Sequence, residues 1–205
     1  KTLFEFYATS QLARIALNGT VTTLGEPGLI SAYQPSPDSR FVLRKTLHRP
    51  FSYIVPHWRF PRRTVVLDDH GESVVSVADL PLAEDIPKGF DAVREGRRRV
   101  DWRADEAATL VWAETQDGGS MEADVDIHDK VYTWPAPFEA EPQQLLALEH
   151  RYAGIRWGDD ALAMVTSWRY DDRKLHTVIF QPDDPDAERT VFDQRSYNDA
   201  YADPG

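Results

Sequence analysis

Four arginines between residues 49 and 63 lie in the densest basic and aromatic segment of the sequence. They are Arg49, Arg59, Arg62 and Arg63, and they are interleaved with Phe51, Tyr53, Trp58 and Phe60. A guanidinium group offsets the cost of desolvating a carboxylate by donating two charge-assisted hydrogen bonds to it. The segment therefore predicts a binding site for an acidic side chain. The alternative is structural, with the arginines stacked on aromatic rings and paired with Asp68 and Asp69.

Nucleophilic catalysis has no motif in this sequence. A serine nucleophile elbow needs Gly-x-Ser-x-Gly between a strand and a helix, and the sequence has no such pattern. In the nearest segment, "DGGSMEAD", the second glycine is missing, so Ser120 is predicted to lie in a loop. The sequence has no cysteine, which excludes disulfides, thiolate metal ligands and a cysteine nucleophile. We therefore predict no catalytic residue in this chain.

Metal and nucleotide cofactors also lack a sequence signal. The six histidines show neither the His-x-x-x-His nor the His-Glu-x-x-His spacing of zinc sites. The acidic segments "DVDIHDK" and "QPDDPDAE" lack the glycine-containing loop spacing of an EF-hand. Glycine-rich phosphate loops are absent. The expected cofactor set is therefore empty, with no metal.

Composition and charge limit the partners of the protein. The chain has 205 residues, 41% of them hydrophobic, and a net charge of −11, so it can bury a core but is a poor match for nucleic acid or an anionic membrane. No apolar run approaches the roughly 18 to 20 residues that a membrane helix needs. A second basic run, Arg94 with Arg97, Arg98 and Arg99, is interpreted as a solvated surface or an ion-pair cluster.

The elements that must position these side chains are mostly short strands. Segments rich in Val, Ile, Thr and aromatic residues are bounded by Gly, Pro, Asp or Asn, and helical spacing is rare. The first predicted strands are "TLFEFYATS", "QLARIAL", "TVTTLG" and "LISAYQ". The later connection "PLAEDIPKGFDAVREGRRR" is too long for a hairpin and is predicted to hold a short helix or an ordered excursion.

A strand-turn-strand pattern occurs three times. Asp38 in "YQPSPDSRFVL", Asp105 in "VDWRADEAATLVW" and Asp160 in "IRWGDDALAMV" each follow one predicted strand and precede another. About four strands fall in each interval, and the intervals exceed the roughly 40 to 50 residues of a propeller blade mainly because of the long connection. Repeated four-stranded antiparallel units without helices predict an all-β fold, a partial β-propeller of about three to four blades. A β-sandwich is the alternative.

The predicted boundaries divide the chain into four parts. Residues 1–26 end an incomplete blade, 27–82 form a blade, 83–150 form a blade with a long insertion, and 151–205 form a blade with an acidic tail. Closed propellers have at least four blades, so the sequence predicts a piece of a longer protein. Another chain, a second copy or the missing segment is expected to cover the end blades.

Three passages resemble a known family. They are "TLHRPFSYIVPHWRFPRRTVVLD", "DLPLAEDIPKGFDAVREGRRRVDWRADEAATLVWAE" and "APFEAEPQQLLALEHRYAGIRWGDDALAMV". They are similar to the N-terminal propeller of the glutamyl endopeptidases, a branch of the prolyl oligopeptidase family of serine peptidases. "RPFSY" followed by "RFPR" is the most specific part of the likeness.

The resemblance implies a two-domain parent enzyme. Its propeller would cover an α/β-hydrolase domain with a Ser-Asp-His triad, which this chain lacks, and would admit peptide substrates cleaved after glutamate. Arg49, Arg59, Arg62 and Arg63 would then hold the acidic side chain. The alternatives are a stand-alone protein-interaction propeller that self-associates, and a propeller of the dipeptidyl-peptidase or acylaminoacyl-peptidase branch. A glycan-binding propeller ranks last, because the sialidase Asp box is absent.

Overall fold

The computed structural model describes residues 1–87, 89–159 and 161–202. The chain divides into two compact units, Lys1–Asp85 and Ile86–Gly205. All the sheets in the described residues are antiparallel, and their neighbouring strands follow chain order. This order is that of a propeller blade, so the prediction of an all-β fold built from successive antiparallel blades is confirmed.

The first unit contains a short helix and a five-stranded sheet. The helix is α1 (Thr2–Ala8), and the strands are β1 (Ser10–Ile15), β2 (Val21–Pro35), β3 (Phe41–Leu47), β4 (Arg62–Asp68) and β5 (Ser73–Leu80). A one-turn 3-10 helix, His57–Arg59, lies between β3 and β4. The buried core at one end of this sheet is formed by Leu29, Leu47, Phe51 and Phe60.

The start of the chain differs from the prediction in two ways. Residues 2–8 form a helix, so the strand predicted there is wrong: the Phe4 ring packs edge-on against Phe51, and this tertiary contact overrides local β-propensity. The two strands predicted between residues 20 and 34 are one continuous strand, β2. Its first half pairs with β1 and its second half with β3, and Gly25 between them has a φ of 66°.

The second unit contains two four-stranded sheets. One consists of β6 (Arg98–Trp102), β7 (Thr109–Thr115), β8 (Asp129–Pro135) and β9 (Gln143–Leu148), and the other of β10 (Arg151–Asp159), β11 (Leu162–Arg169), β12 (Lys174–Phe180) and β13 (Thr190–Ser196). Val111, Val131 and Leu146 from the first of these sheets share a buried cluster with Val165 and Phe180 from the second. The two blades therefore pack through apolar faces on which every second residue points inward.

Two of the three predicted turns, those with Asp38 and Asp105, each connect two neighbouring antiparallel strands, as the sequence indicates. Asp38 accepts hydrogen bonds from the Ser36 hydroxyl at 2.6 Å and from the backbone N–H of Arg40 at 3.1 Å, which fixes the turn between β2 and β3. Asp105 instead accepts two hydrogen bonds from the Arg103 guanidinium, between β6 and β7. Asp160 and residues 203–205 of the acidic tail lie outside the described residues.

Candidate functional site

The predicted arginine cluster lies at one end of the first sheet. Arg49 lies two residues after the end of β3, and Arg59 ends the 3-10 helix. Arg62 and Arg63 begin β4. The backbone N–H of His48 donates to the Pro61 carbonyl at 3.1 Å, which closes this long connection at its base. The sequence therefore brings all four arginines to the same end of one sheet.

Strand alternation separates Arg62 from Arg63. Arg63 lies opposite Thr46 on β3 and Asp79 on β5, whereas Arg62 lies opposite Leu47 and Leu80. Adjacent residues of a strand point to opposite faces, so the two guanidinium groups do not form one fork. One faces a carboxylate and the other faces apolar side chains.

Arg63 is paired with an acid of its own sheet. Its Nη2 lies 2.7 Å from Asp79 Oδ2, and His48 Nε2 lies 2.7 Å from the other oxygen of that carboxylate. Burial alone would raise the pKa of Asp79, but the hydrogen bonds from Arg63 and His48 outweigh burial and hold this pKa below its ordinary value. Arg63 therefore has a counter-ion within the chain.

Arg49 is paired as well, with an acid of α1. Its Nε donates to Glu5 Oε1 at 2.8 Å, and its Nη2 donates to the second oxygen of the same carboxylate. This fork, through its hydrogen bonds first and its charge second, raises the pKa of Arg49. The partners of the paired arginines are thus Glu5 and Asp79, and not the predicted Asp68 and Asp69. Asp68 instead accepts hydrogen bonds from the backbone of its own turn.

Arg62 has no such partner among the described residues. Its Nε is completely buried and makes no hydrogen bond to any of them, and burial lowers the pKa of this side chain. Arg59 is half-buried, and its backbone carbonyl accepts a hydrogen bond from Ala83 N–H at 3.0 Å. The predicted cluster thus contains two arginines with internal counter-ions, Arg49 and Arg63. The other two, Arg59 and Arg62, are half-buried and have no counter-ion among the described residues, and of these two only Arg62 has an enclosed nitrogen without a hydrogen bond.

A second arginine site, which sequence reasoning missed, lies in the second unit. The Arg151 side chain is 1% exposed, and its Nη2 and Nη1 contact Asp117 Oδ2 at 2.7 Å and Asp129 Oδ1 at 3.0 Å. Nη1 also donates to the Thr115 hydroxyl, and Nε donates to the Asp91 carbonyl, each at 2.9 Å. Because these donors hold parts of the fold together, Arg151 is unavailable for a substrate.

Two further basic side chains surround the same carboxylates. Arg98 Nη2 lies 2.6 Å from Asp129 Oδ1, and His128 Nδ1 donates to Asp117 Oδ2 at 2.6 Å. Arg98 belongs to the second basic run, and its side chain is only 9% exposed, so this member forms a buried ion pair. Burial alone would raise the pKa of Asp117, but hydrogen bonds from Thr115, His128 and Arg151 hold it below its ordinary value.

The Arg151 network fixes the long connection that precedes β6. The Asp91 carboxylate accepts the backbone N–H of Tyr170 at 2.9 Å, and the N–H of Val93 donates to the Gly119 carbonyl at 3.0 Å. Among residues 86, 87 and 89–97, which the structure describes, no helix forms. The connection is therefore an ordered excursion, bound to its neighbours through polar contacts.

The described residues contain neither a candidate nucleophile site nor a metal site. Ser120 lies in the loop between β7 and β8, and no helix follows it within residues 121–128. No group of three or more His, Asp or Glu side chains in the described ranges is arranged to hold a metal ion. None of the helices in these ranges is long and apolar enough to cross a membrane. The arginine cluster of the first unit remains the candidate site.

Comparisons with known proteins give one clear relationship. The chain is 43% identical over 205 residues to a protein named "Probable glutamyl endopeptidase, chloroplastic" from Oryza sativa subsp. japonica, covering 99% of this chain and 22% of that protein. It is 44% identical over the same length to a protein of the same name from Arabidopsis thaliana, of which it covers 21%. The chain thus spans about a fifth of the length of these relatives. No protein-family model matches it.

Solved structures with a similar chain course include the acylaminoacyl peptidase of Pyrococcus horikoshii. It is 13% identical, with a TM-score of 0.45 over 92% of this chain and 31% of that one. An acylaminoacyl peptidase in complex with Z-Gly-Gly-Phe-chloromethyl ketone is 13% identical with a TM-score of 0.43. From the sequence relatives, the resemblance to the glutamyl endopeptidases is confirmed: the chain is homologous, along almost its whole length, to a segment of these proteins.

Proposed function

We propose that this chain is the non-catalytic propeller segment of a serine peptidase that cleaves peptides after glutamate. The parent protein would carry its nucleophile in an α/β-hydrolase domain outside this chain, and the propeller would control which substrates reach it. The observation that carries this proposal is the 43% identity across 99% of the chain to a protein named as a probable glutamyl endopeptidase.

Two features of the chain support a propeller that controls access while another domain carries the catalytic residues. The sequence contains no Gly-x-Ser-x-Gly motif, so the proposal assigns the nucleophile to another part of the parent protein. The described residues form antiparallel blades tied by polar turns, and such sheets suit a rigid wall that excludes folded proteins and admits extended peptides.

The arginine cluster is the proposed point of contact with the acidic substrate. The cluster of Arg49, Arg59, Arg62 and Arg63 lies at one end of one blade in a protein whose net charge is −11. Glu5 and Asp79 balance two of these charges, so the positive charge without an internal counter-ion in the described ranges is that of Arg59 and Arg62. A local positive field of this kind attracts acidic side chains, and a guanidinium fork then gives them a defined geometry.

The test uses the full-length product of the native gene. We expect a serine-directed phosphonate to label it, and we expect cleavage of short peptides to be faster after glutamate than after alanine or proline. The gating role predicts that a glutamate in a disordered peptide is cleaved while the same sequence within a folded domain is spared. A product near 23 kDa that takes no label would contradict the proposal and leave an interaction module. Labelling with a preference for another residue would reject the glutamate specificity alone.

A further inference from the structure

The half-buried Arg62 side chain forms no ion pair with an acidic side chain of the described residues. Its cross-strand neighbours are Leu47 and Leu80, and Leu47 belongs to the buried cluster with Phe51 and Phe60. Nε is fully enclosed and has no hydrogen-bond partner within the described ranges. A guanidinium group has five N–H donors in a planar fork. In Arg62 the buried Nε–H therefore has no hydrogen-bond acceptor among the described residues.

In two other arginines of the cluster, an internal carboxylate accepts the hydrogen bonds of the guanidinium group. Arg49 holds the Glu5 carboxylate in a fork, and Arg63 holds that of Asp79 through Nε at 3.0 Å and Nη2 at 2.7 Å. An acidic ligand would have to displace an internal carboxylate from either of them. At Arg62 no internal carboxylate of the described residues would have to be displaced.

The apolar surroundings make a contact at Arg62 stronger than one at a free surface arginine. Leu47 and Leu80 exclude water from the stem, and burial lowers the pKa of the side chain, which means that its charge is under-solvated. A carboxylate that reaches the fork restores the lost solvation, and the charges attract more strongly at lower dielectric.

We infer that Arg62 is the residue of this cluster that binds the carboxylate of the substrate glutamate. Arg49 and Arg63 are held by internal acids. Arg59 has no internal acid in the described ranges either, but it has no enclosed nitrogen left without a hydrogen bond. The inference rests on the proposed peptidase function. Its ligand is the side-chain carboxylate of a glutamate in an extended peptide, with the side-chain methylenes against the leucines.

The experiment compares substrates with Glu or Gln before the scissile bond in the full-length protein carrying Arg62→Gln or Arg62→Met. Losing a charged hydrogen-bond partner should lower the Glu-to-Gln ratio of kcat/KM by about 10- to 100-fold, and a binding contact should place most of this loss in KM. Arg44→Gln is the matched control. Arg44 is also half-buried with an enclosed, unpartnered Nε, but its Nη1 donates to the Glu26 carbonyl, and we expect its variant to keep the wild-type ratio.

A second measurement on the wild-type protein does not depend on the folding of a variant. A glutamyl phosphonate bound at the nucleophile should protect Arg62 from phenylglyoxal, as mapped by mass spectrometry, while Arg40, 67% exposed, keeps its reactivity. An unchanged Glu-to-Gln ratio in both Arg62 variants, or Arg62 modified equally with and without the phosphonate, overturns the inference while the peptidase proposal stands. If the phosphonate does not label the wild-type protein, the proposed peptidase function is contradicted, and so is the inference that rests on it.

Discussion

Arg151 and Asp117 form an ion pair 2.7 Å long between side chains that are 1% and 0% exposed. The arginine begins β10, whereas the aspartate lies in the loop after β7, so the pair joins two blades of the second unit. A buried charge is stable only while its partners remain in place. Loss of this pair should therefore destabilise both the loop between β7 and β8 and the packing of the two blades.

Arg151→Met should strongly destabilise the second unit. The substitution keeps an apolar stem but leaves Asp117 without its arginine, and breaking a buried pair costs about 3 to 5 kcal/mol. Urea unfolding followed by tryptophan fluorescence reports on this unit, because Trp58 is the only tryptophan in Lys1–Asp85. The control is Arg169→Gln, which breaks the exposed pair with Asp172 and should cost less than about 1 kcal/mol. Equal effects of the two variants would contradict the structural role assigned to Arg151.

Acid should weaken the second unit through Asp117. The pKa of this carboxyl is lower in the folded protein than its ordinary value of 3.8, so its ionised form stabilises the fold above about pH 4. That contribution is lost as the pH falls from about 4 through the lower folded pKa. Urea midpoints between pH 5 and pH 2 should fall less steeply for Asp117→Asn than for the wild type. Parallel curves would show that other carboxyls carry the acid response.

Much of the fold follows from local sequence patterns. In β8, buried and partly exposed residues alternate around Val131, and this period of two indicates a strand. The start of β7 is instead a short run of buried residues around Val111, which is typical of a strand covered on both faces. The helix at residues 2–8 could not be predicted in this way. It depends on Phe4 meeting Phe51 and on Glu5 meeting Arg49, contacts made far away in the sequence.

The candidate site was only partly predictable for the same physical reason. The composition of the 49–63 segment revealed the arginines. The partner of each guanidinium group, however, depends on the sheet face and on the cross-strand neighbours, and these differ between Arg62 and Arg63. The Arg151 network gave no local signal at all. Its acidic partners lie 22 and 34 residues earlier in the chain, and each one resembles an ordinary loop or strand-end aspartate.

His176 should give the second unit a separate sensitivity near neutral pH. Its ring lies 6.4 Å from that of His150, and both nitrogens of His150 and Nε2 of His176 are buried without hydrogen-bond partners among the described residues. Burial first, then the charges of His150 and Lys174, lower the pKa of His176 below 6.5, while Glu149 acts in the opposite direction.

The sign of this effect follows from the lowered pKa. Neutral His176 stabilises the fold above about pH 6.5, and the contribution disappears as the pH falls through the lower folded pKa. His176→Gln should therefore flatten the pH dependence of the urea midpoint between pH 7 and pH 5. His70→Gln, at a position with a 78% exposed side chain, is the control and should leave it unchanged. A steep pH dependence retained in His176→Gln would assign the effect to another group.

A comparison of Gly119 with Gly19 distinguishes two costs of an alanine substitution: a steric clash between two loops and the strain of a left-handed backbone. Both have positive φ, 86° and 87°, but a Cβ at Gly119 would lie 2.0 Å from the Val93 carbonyl oxygen, whereas a Cβ at Gly19 would meet nothing within 4 Å. Gly19→Ala should cost about 1 kcal/mol from its left-handed conformation alone. Gly119→Ala adds a clash with backbone and should cost roughly 3 kcal/mol or more.

Thermal unfolding of both alanine variants, followed by tryptophan fluorescence and by far-UV circular dichroism, measures the difference. Hydrogen exchange should also rise in Gly119→Ala at the Val93 N–H, whose hydrogen bond to the Gly119 carbonyl holds the long connection against the β7–β8 loop. If the two variants lose the same stability, the loops can separate without cost. In that case the Val93 and Gly119 contact does not hold the connection in place, and other contacts, such as those of Asp91 with Arg151 and Tyr170, do so.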